Sequence, residues 1–239
     1  LSGMGELHLE VTRNRMQREF NVAAFFGRPR VSYRETVTVS GVGKGEFEKR
    51  ISDTLVSGKA AVEILPRPRT PGDRSLAPVE VDISRIARNL SSSLEREAQE
   101  ILFRGCNSGG THGYPIVDVK VNVLDFRHND PPDPSVPLLG TLTLALREAI
   151  AQAQTIVLEP VMSLEVRVPD ECLGGIMKDL GARRAEIRET ELLGGSALIR
   201  SLVPLAEMFG YSTQMRSVTQ GRGSFSMEPY DYQPAKSWV

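Results

Sequence analysis

The segment VPLAEMFGYSTQMRSVTQGRGSF, residues 203–225, decides the fold, because it combines a helix start, an apolar stripe and the entry to a strand. Pro204 suits the first position of a helix, where its missing N–H has no hydrogen bond to lose. Apolar side chains then recur at helical spacing, at Leu205, Met208, Phe209 and Met215. Beyond Gly221 and Gly223, alternating polar and apolar residues predict a strand.

The same order of strand, helix and strand occurs once more upstream. Residues 161–168 alternate as a strand, and the helix that follows carries an apolar stripe of Cys172, Leu173, Ile176, Met177 and Leu180. Two further strands, residues 187–192 and 197–203, are joined by a turn at Gly194 and Gly195. Two such halves predict a ferredoxin-like split βαβ sandwich over residues 156–239, with both helices on one face of the sheet.

Residues 29–155 predict a separate, mixed α/β domain. Alternation over residues 31–39, a glycine turn at 41–45 and a return strand at 47–51 predict a hairpin. Further strands are expected at residues 61–65 and 79–83. A helix capped by Ser91 or Ser92 follows, with Leu94, Ala98, Ile101 and Leu102 as its buried stripe.

A long strand and a proline-rich loop follow in this domain. Val117, Val119, Val121 and Val123 alternate with polar residues, so one face of the strand is expected to be buried. The loop at residues 126–134 contains three prolines, which predict a stiff protrusion. A helix over residues 137–154 completes the domain. At the start of the chain, residues 5–20 predict a helix and residues 22–26 a strand, too little to bury their own apolar stripe.

Composition excludes several classes of function. The 29 basic and 30 acidic residues give no overall nucleic-acid signature, so any RNA contact must come from local patches. The two cysteines and three histidines lack the spacing of a metal site, and the cysteines predict no disulfide framework. No apolar run is long enough to cross a membrane. No GxxxxGK[ST] loop is present, so the sequence predicts neither a catalytic site nor a bound cofactor in this chain.

Three motifs resemble the elongation factor G family of ribosomal translocases. Residues 203–225, with LEPVM at 158–162, resemble its fifth domain, and SGMGELHLEVTRNRMQREF at 2–20 resembles the end of its third domain. HGYPIVDVKV at 112–121 is similar to the central strand of its fourth domain. The chain is therefore identified as a member of this family, with an α+β fold and three parts. The resemblance makes residues 1–28 the end of a truncated ferredoxin-like domain III, 29–155 a ribosomal-protein-like domain IV, and 156–239 a ferredoxin-like domain V.

The resemblance also implies partners and a site. The expected partners are ribosomal RNA and ribosomal proteins. The protein is expected to be a monomer without membrane contact, and GTP with Mg²⁺ is expected in a missing amino-terminal domain. His128 matches by position a histidine at the far end of the family's domain IV, so the residues expected to contact the ribosome there are Arg127, His128, Asn129 and Asp130. In domain V the expected contacts are Arg216, Gln220 and Arg222. For Arg222, flanked by glycines that let a partner approach, the alternative is an arginine that covers a neighbouring helix.

Two segments depart from the family pattern. Residues 129–133 replace an acidic, serine-containing run, and residues 85–90 replace a run of Gly-Gly and Ile-Pro. These changes resemble the branch of mitochondrial ribosome-releasing factors, which separate ribosomal subunits after termination. This branch implies ribosome recycling, a mitochondrial location and ribosome recycling factor as a further partner. The alternatives are GTP-dependent translocation in the cytoplasm and a free-standing RNA-binding module.

Overall fold

The computed structural model describes residues 6–21, 30–51, 53–69 and 74–236, with side chains from residue 11 onward. It forms two compact units. The central unit comprises Tyr33–Leu158 and Pro234–Val239, and the carboxy-terminal unit comprises Leu1–Ser32 and Glu159–Gln233. In the described residues, no helix is both long and apolar enough to cross a membrane.

The first described element is helix α1, Glu6–Phe20, which confirms the helix predicted there. Its apolar side chains are poorly covered, since Val11 and Phe20 are 50% and 68% exposed. The strand predicted at residues 22–26 lies outside the described residues, as does the side chain of His8.

The central unit contains a four-stranded sheet with helices packed against it. The elements are β1 Arg34–Val37, β2 Gly41–Ile51, β3 Thr54–Pro66, β4 Glu80–Asp82, α2 Ser84–Ala87, α3 Ser92–Ser108, β5 Val119–His128 and α4 Ser135–Gln152. The sheet order is β2-β3-β5-β4, antiparallel except for the parallel pair β4 and β5. Helix α4 packs on β2 and β3, and α3 packs on α4. Fully buried residues at their contacts include Val62, Ile64, Val121, Leu102, Leu138 and Leu142.

The hairpin predicted around a turn at residues 41–45 is wrong. Gly41, Gly43 and Gly45 lie inside β2, and β1 pairs instead with the first residues of β6, Thr155–Pro169. The glycines are needed because the backbone of α4 lies directly over this strand. A Cβ at Gly43 would lie 2.0 Å from the carbonyl oxygen of Ala145. The hairpin of this unit is formed by β2 and β3, which pair as far as Ile51 with Thr54.

The predicted cap of α3 is confirmed, whereas the long strand starts later than predicted. Ser91 caps α3 by accepting a hydrogen bond from the backbone N–H of Leu94 at 3.4 Å. The long strand begins at Val119 and not at Val117, because Asp118 has a left-handed backbone, with φ of 57°. The Asp118 carboxylate accepts hydrogen bonds from Arg69 at 2.9 Å and from the backbone N–H of Ala77 at 2.7 Å.

The carboxy-terminal unit has the predicted ferredoxin-like topology. Its elements after the start of β6 are α5 Leu173–Ala182, β7 Glu186–Leu192, β8 Ser196–Pro204, α6 Tyr211–Val218 and β9 Ser224–Pro234. The strand order is β7-β8-β6, with β9 on the other side of β6. Both helices bury side chains in the core on one sheet face, among them Ile176, Leu180, Tyr211 and Met215. The predicted turn between β7 and β8 is confirmed by positive φ at Gly194 and Gly195.

The helix predicted to start at Pro204 is interrupted. Pro204 ends β8, a 3-10 turn covers Leu205–Met208, and α6 starts only at Tyr211. Gly210, with φ of 71°, breaks the helix between them. This break shifts the buried face, so that Tyr211 is 1% exposed whereas Phe209 is 36% exposed.

Candidate RNA-contacting surfaces

The β2–β3 hairpin forms one end of the central sheet. Strand β5 ends where His128 pairs with Gly58, and β2 and β3 continue beyond this point for four residue pairs, Glu48 with Ser57 to Ile51 with Thr54. At about 3.3 Å per residue, this extension is about 13 Å long. We call residues 48–57 and the loop at 126–134 together the tip. The loop was predicted from the sequence and the hairpin was not, because the hairpin lies beside the loop only through the pairing of β3 with β5, which is distant in sequence.

His128 is held in a defined orientation within the tip. Its side chain is 21% exposed, and its ring centroid lies 5.4 Å from that of Phe126. Its Nδ1 accepts a hydrogen bond from the backbone N–H of Asp130 at 3.1 Å. Asp130 Oδ1 lies 3.4 Å from the same nitrogen. With Nδ1 as the acceptor of the Asp130 N–H, a neutral imidazole carries its proton on Nε2, which is then a hydrogen-bond donor.

The three neighbours of His128 differ in what they offer to a partner. Asn129 bonds to the hairpin through its backbone and its side chain. The Arg127 side chain is 81% exposed and pairs with Asp125 at 2.9 Å. The Asp130 side chain is 96% exposed on a left-handed backbone, with φ of 50°. Arg127 and Asp130 therefore face solvent, whereas Asn129 is used within the protein.

Two grooves flank His128. One, of about 420 Å³, includes Glu46, Lys59 and Arg127 in its wall. The other, of about 260 Å³, includes Asn89 and Leu90 and so brings the second altered segment, residues 85–90, beside His128. The two segments that depart from the family pattern therefore meet at one place.

The rest of the loop is anchored to the body of the unit. The Asp133 carboxylate accepts hydrogen bonds from the backbone N–H and the hydroxyl of Ser135, at 3.0 and 2.6 Å, at the start of α4. These bonds hold the pKa of Asp133 below its ordinary value, because they favour the charged carboxylate. Pro131 is buried. Asn129 and Asp133 are thus engaged within the protein, and the stiffness of the loop stays a prediction.

The residues expected to contact RNA in the carboxy-terminal unit lie at the end of α6 and in the turn after it. Arg216, Gln220 and Arg222 are all exposed. Arg222 Nη2 lies 2.6 Å from Glu171 Oε1, so the guanidinium is paired within the protein. Among the residues that the structure describes, Arg216 makes no ion pair.

The glycines beside Arg222 have a role in the fold, and their predicted role in admitting a partner stays a prediction. Gly221 has φ of 78°, a value that other residues rarely adopt. A Cβ at Gly223 would lie 2.9 Å from the side chain of Thr219. The turn is therefore shaped by contacts within the unit.

A buried ion pair supports the same unit. Arg184 donates to both carboxylate oxygens of Glu159, at 2.9 and 3.0 Å, and to Glu207 at 2.9 Å. Glu159 is 3% exposed, and its carboxylate raises the pKa of Arg184. Across the described ranges, no group of three or more His, Cys, Asp and Glu side chains is placed to hold a metal ion.

The chain contains two α+β units, the second ferredoxin-like, in the order along the sequence that the resemblance to elongation factor G implies. Residues 156–239 match the family model "Elongation factor G C-terminus", and residues 1–28 match "Elongation Factor G, domain III". The chain carries the carboxy-terminal domains of the elongation factor G family: the end of domain III, domain IV and domain V.

Individual relatives agree with this assignment. Elongation factor G of Aquifex pyrophilus is 36% identical over 227 residues, which are 95% of this chain and 32% of that protein. A crystal structure from Thermus thermophilus superposes with a TM-score of 0.75 at 26% identity, covering 98% of this chain and 34% of that one. The chain thus spans about a third of the length of these relatives.

Proposed function

We propose that this chain is the ribosome-binding part of a translation GTPase. The tip contacts ribosomal RNA through the β2–β3 hairpin, Arg127 and the Nε2–H of His128. The end of α6 contributes the exposed Arg216, Gln220 and Arg222. GTP and Mg²⁺ are bound by a domain outside this chain. This chain by itself hydrolyses no GTP. The protein acts as a monomer.

We further propose that the whole protein separates ribosomal subunits after termination in mitochondria, together with ribosome recycling factor. One observation carries this proposal: in residues 129–133, after His128, two of the three polar side chains are engaged within the protein. Asn129 bonds to the hairpin, Asp133 bonds to Ser135, and the third side chain is the exposed Asp130 carboxylate. This segment therefore offers tRNA and messenger RNA a carboxylate, which repels phosphates, whereas the proposed contacts with ribosomal RNA come from Arg127, His128 and the hairpin.

Translocation is the second candidate, because the relative of 36% identity is named elongation factor G. A chimera separates the two functions. Residues 29–155 replace domain IV of a working translocase, and translocation and subunit splitting are measured with the same ribosomes. We expect translocation to fall well below the parental rate while splitting is retained. Translocation at the parental rate would contradict the recycling proposal.

The carboxy-terminal surface has its own test, since Arg222 is paired with Glu171. Arg222→Ala should weaken ribosome binding by on the order of 1 kcal/mol and flatten its salt dependence, because one phosphate contact is lost. Glu171→Ala should strengthen binding, because it frees the guanidinium. If Arg222→Ala leaves the affinity unchanged and lowers the melting temperature, the arginine serves only the fold.

A further inference from the structure

Asn129 makes three hydrogen bonds to the β2–β3 hairpin. Its Oδ1 accepts from the backbone N–H of Ser57 at 3.0 Å, and its Nδ2 donates to the carbonyl oxygen of Leu55 at 2.7 Å. Its own backbone N–H donates to the carbonyl oxygen of Ser57 at 3.2 Å. The side-chain amide therefore bonds to β3 as the peptide group of a neighbouring strand would.

The hairpin needs this support because it extends beyond β5. From Thr54 to Ser57, β3 pairs with β2 alone, because the pairing with β5 ends at Gly58. A two-stranded ribbon of this kind is marginally stable in water. Ile51 and Leu55, near its end, are 41% and 49% exposed, so that Val56, at 4%, is the buried apolar side chain among the described residues of this stretch. Among the residues that the structure describes, the hydrogen bonds between this part of the hairpin and the loop are therefore those of Asn129.

The same residue lies between the hairpin and the ordered imidazole. His128 precedes Asn129 directly, and Asp130, whose N–H bonds to His128 Nδ1, follows it. With its side chain attached to β3, Asn129 sets the distance between the hairpin and the Nε2–H of His128. The two halves of the tip therefore have a fixed relative position before any partner binds.

We propose that Asn129 is a positioning residue that joins the hairpin and His128 into one preorganised surface for ribosomal RNA. This inference rests on the proposed ribosome binding of the tip. The amide is required because it both accepts from Ser57 and donates to Leu55. A carboxylate in its place would keep the first bond, lose the second and face the Leu55 carbonyl oxygen, which also accepts hydrogen bonds.

The test uses Asn129→Asp and Asn129→Ala in the full chain, since the alanine variant removes the bonds without adding a charge. The control is Asn107→Asp, because Asn107 also donates its amide to a backbone carbonyl, that of Phe103, at 3.1 Å. The measurements are amide hydrogen exchange of residues 54–58 in the free protein, and ribosome affinity at several salt concentrations.

We expect Asn129→Ala to exchange the Ser57 amide faster, because it removes the acceptor of that N–H, whereas Asn129→Asp keeps this bond and loses the one to Leu55. Both variants should bind ribosomes about tenfold more weakly, because the tip must be ordered on binding. For Asn129→Ala the salt dependence should keep its slope, because no phosphate contact is removed. Asn107→Asp should change neither quantity.

Two results would overturn the inference. Unchanged exchange at Ser57 in Asn129→Ala would show that Asn129 does not hold the hairpin, and faster exchange in this variant with unchanged affinity would show that its role is structural alone. If the unmodified chain fails to bind ribosomes, the proposed function fails and the positioning role for RNA fails with it. The exchange data would then still decide whether Asn129 holds the hairpin, so the two failures are distinguishable.

Discussion

Replacing Gly43 with alanine should separate helix α4 from the sheet of the central unit. The new Cβ would lie 2.0 Å from the carbonyl oxygen of Ala145 and 2.3 Å from the backbone nitrogen of Ala149. Both are backbone atoms of α4, so no side chain can rotate away. The helix would have to move outward by about 1 Å or more, and a gap of this size forfeits a quarter to a half of the dispersion energy of the contacts along it. We expect a loss of about 2–3 kcal/mol in the stability of the central unit, at the upper part of the range for overpacking.

Amide hydrogen exchange of β2 and β3 is the appropriate assay, because a chain of two units does not give a single two-state melting curve. The amides of the carboxy-terminal unit serve as an internal reference and should keep their protection. Val42→Ala is the matched control on the same strand, since Val42 is 40% exposed and its truncation should cost about 0.5 kcal/mol or less. If the amides of β2 and β3 are equally protected from exchange in Gly43→Ala and in Val42→Ala, the close contact between α4 and β2 is refuted.

Two further predictions concern charged groups. Arg184→Met should cost the carboxy-terminal unit about 3 kcal/mol of stability, because it leaves the buried Glu159 carboxylate unpaired. The control is Arg188→Ala, which removes an exposed ion pair and should cost less than about 0.5 kcal/mol. Urea unfolding followed by hydrogen exchange measures both. Ser135→Ala should raise the pKa of Asp133 toward the ordinary value of an aspartate, measured by carboxyl NMR. Since the pKa of Asp133 is lowered in the folded protein, its contribution to the start of α4 is present above the unfolded pKa and is lost as the pH falls through the folded one. An unchanged titration of Asp133 in the variant would contradict the hydrogen bond from the Ser135 hydroxyl.

The carboxy-terminal unit was predictable because its signals are local. Gly194 and Gly195 mark the turn between β7 and β8, and the stripe that includes Ile176 and Leu180 marks the buried face of α5. The exception is also instructive. Phe209 has the right spacing for a continuous helix, but a single left-handed residue, Gly210, moves the buried position to Tyr211.

The central unit was less predictable because its decisive contacts are distant in sequence. From the sequence alone, the alternating glycines of β2 suggest a turn, because the helix α4 that covers them lies far along the chain. The backbone N–H of Lys44, for example, donates a hydrogen bond to Glu148, 104 residues away. The same holds for the candidate site. Its loop was predicted from the prolines after His128. The hairpin was not predicted to lie beside this loop, because the bond from Ser57 to Asn129 joins residues 72 positions apart and depends on the strand register.

Directed hydroxyl-radical probing tests most directly the central claim that the tip contacts ribosomal RNA. An iron chelate is attached to Thr54→Cys in the hairpin or, as a control, to Gln99→Cys on the exposed side of α3; Cys106 and Cys172 are buried and should not react. On ribosomes that carry the bound chain, we predict cleavage of ribosomal RNA from position 54 and little or none from position 99. Equal cleavage from the two positions, or cleavage from position 99 alone, would contradict the account.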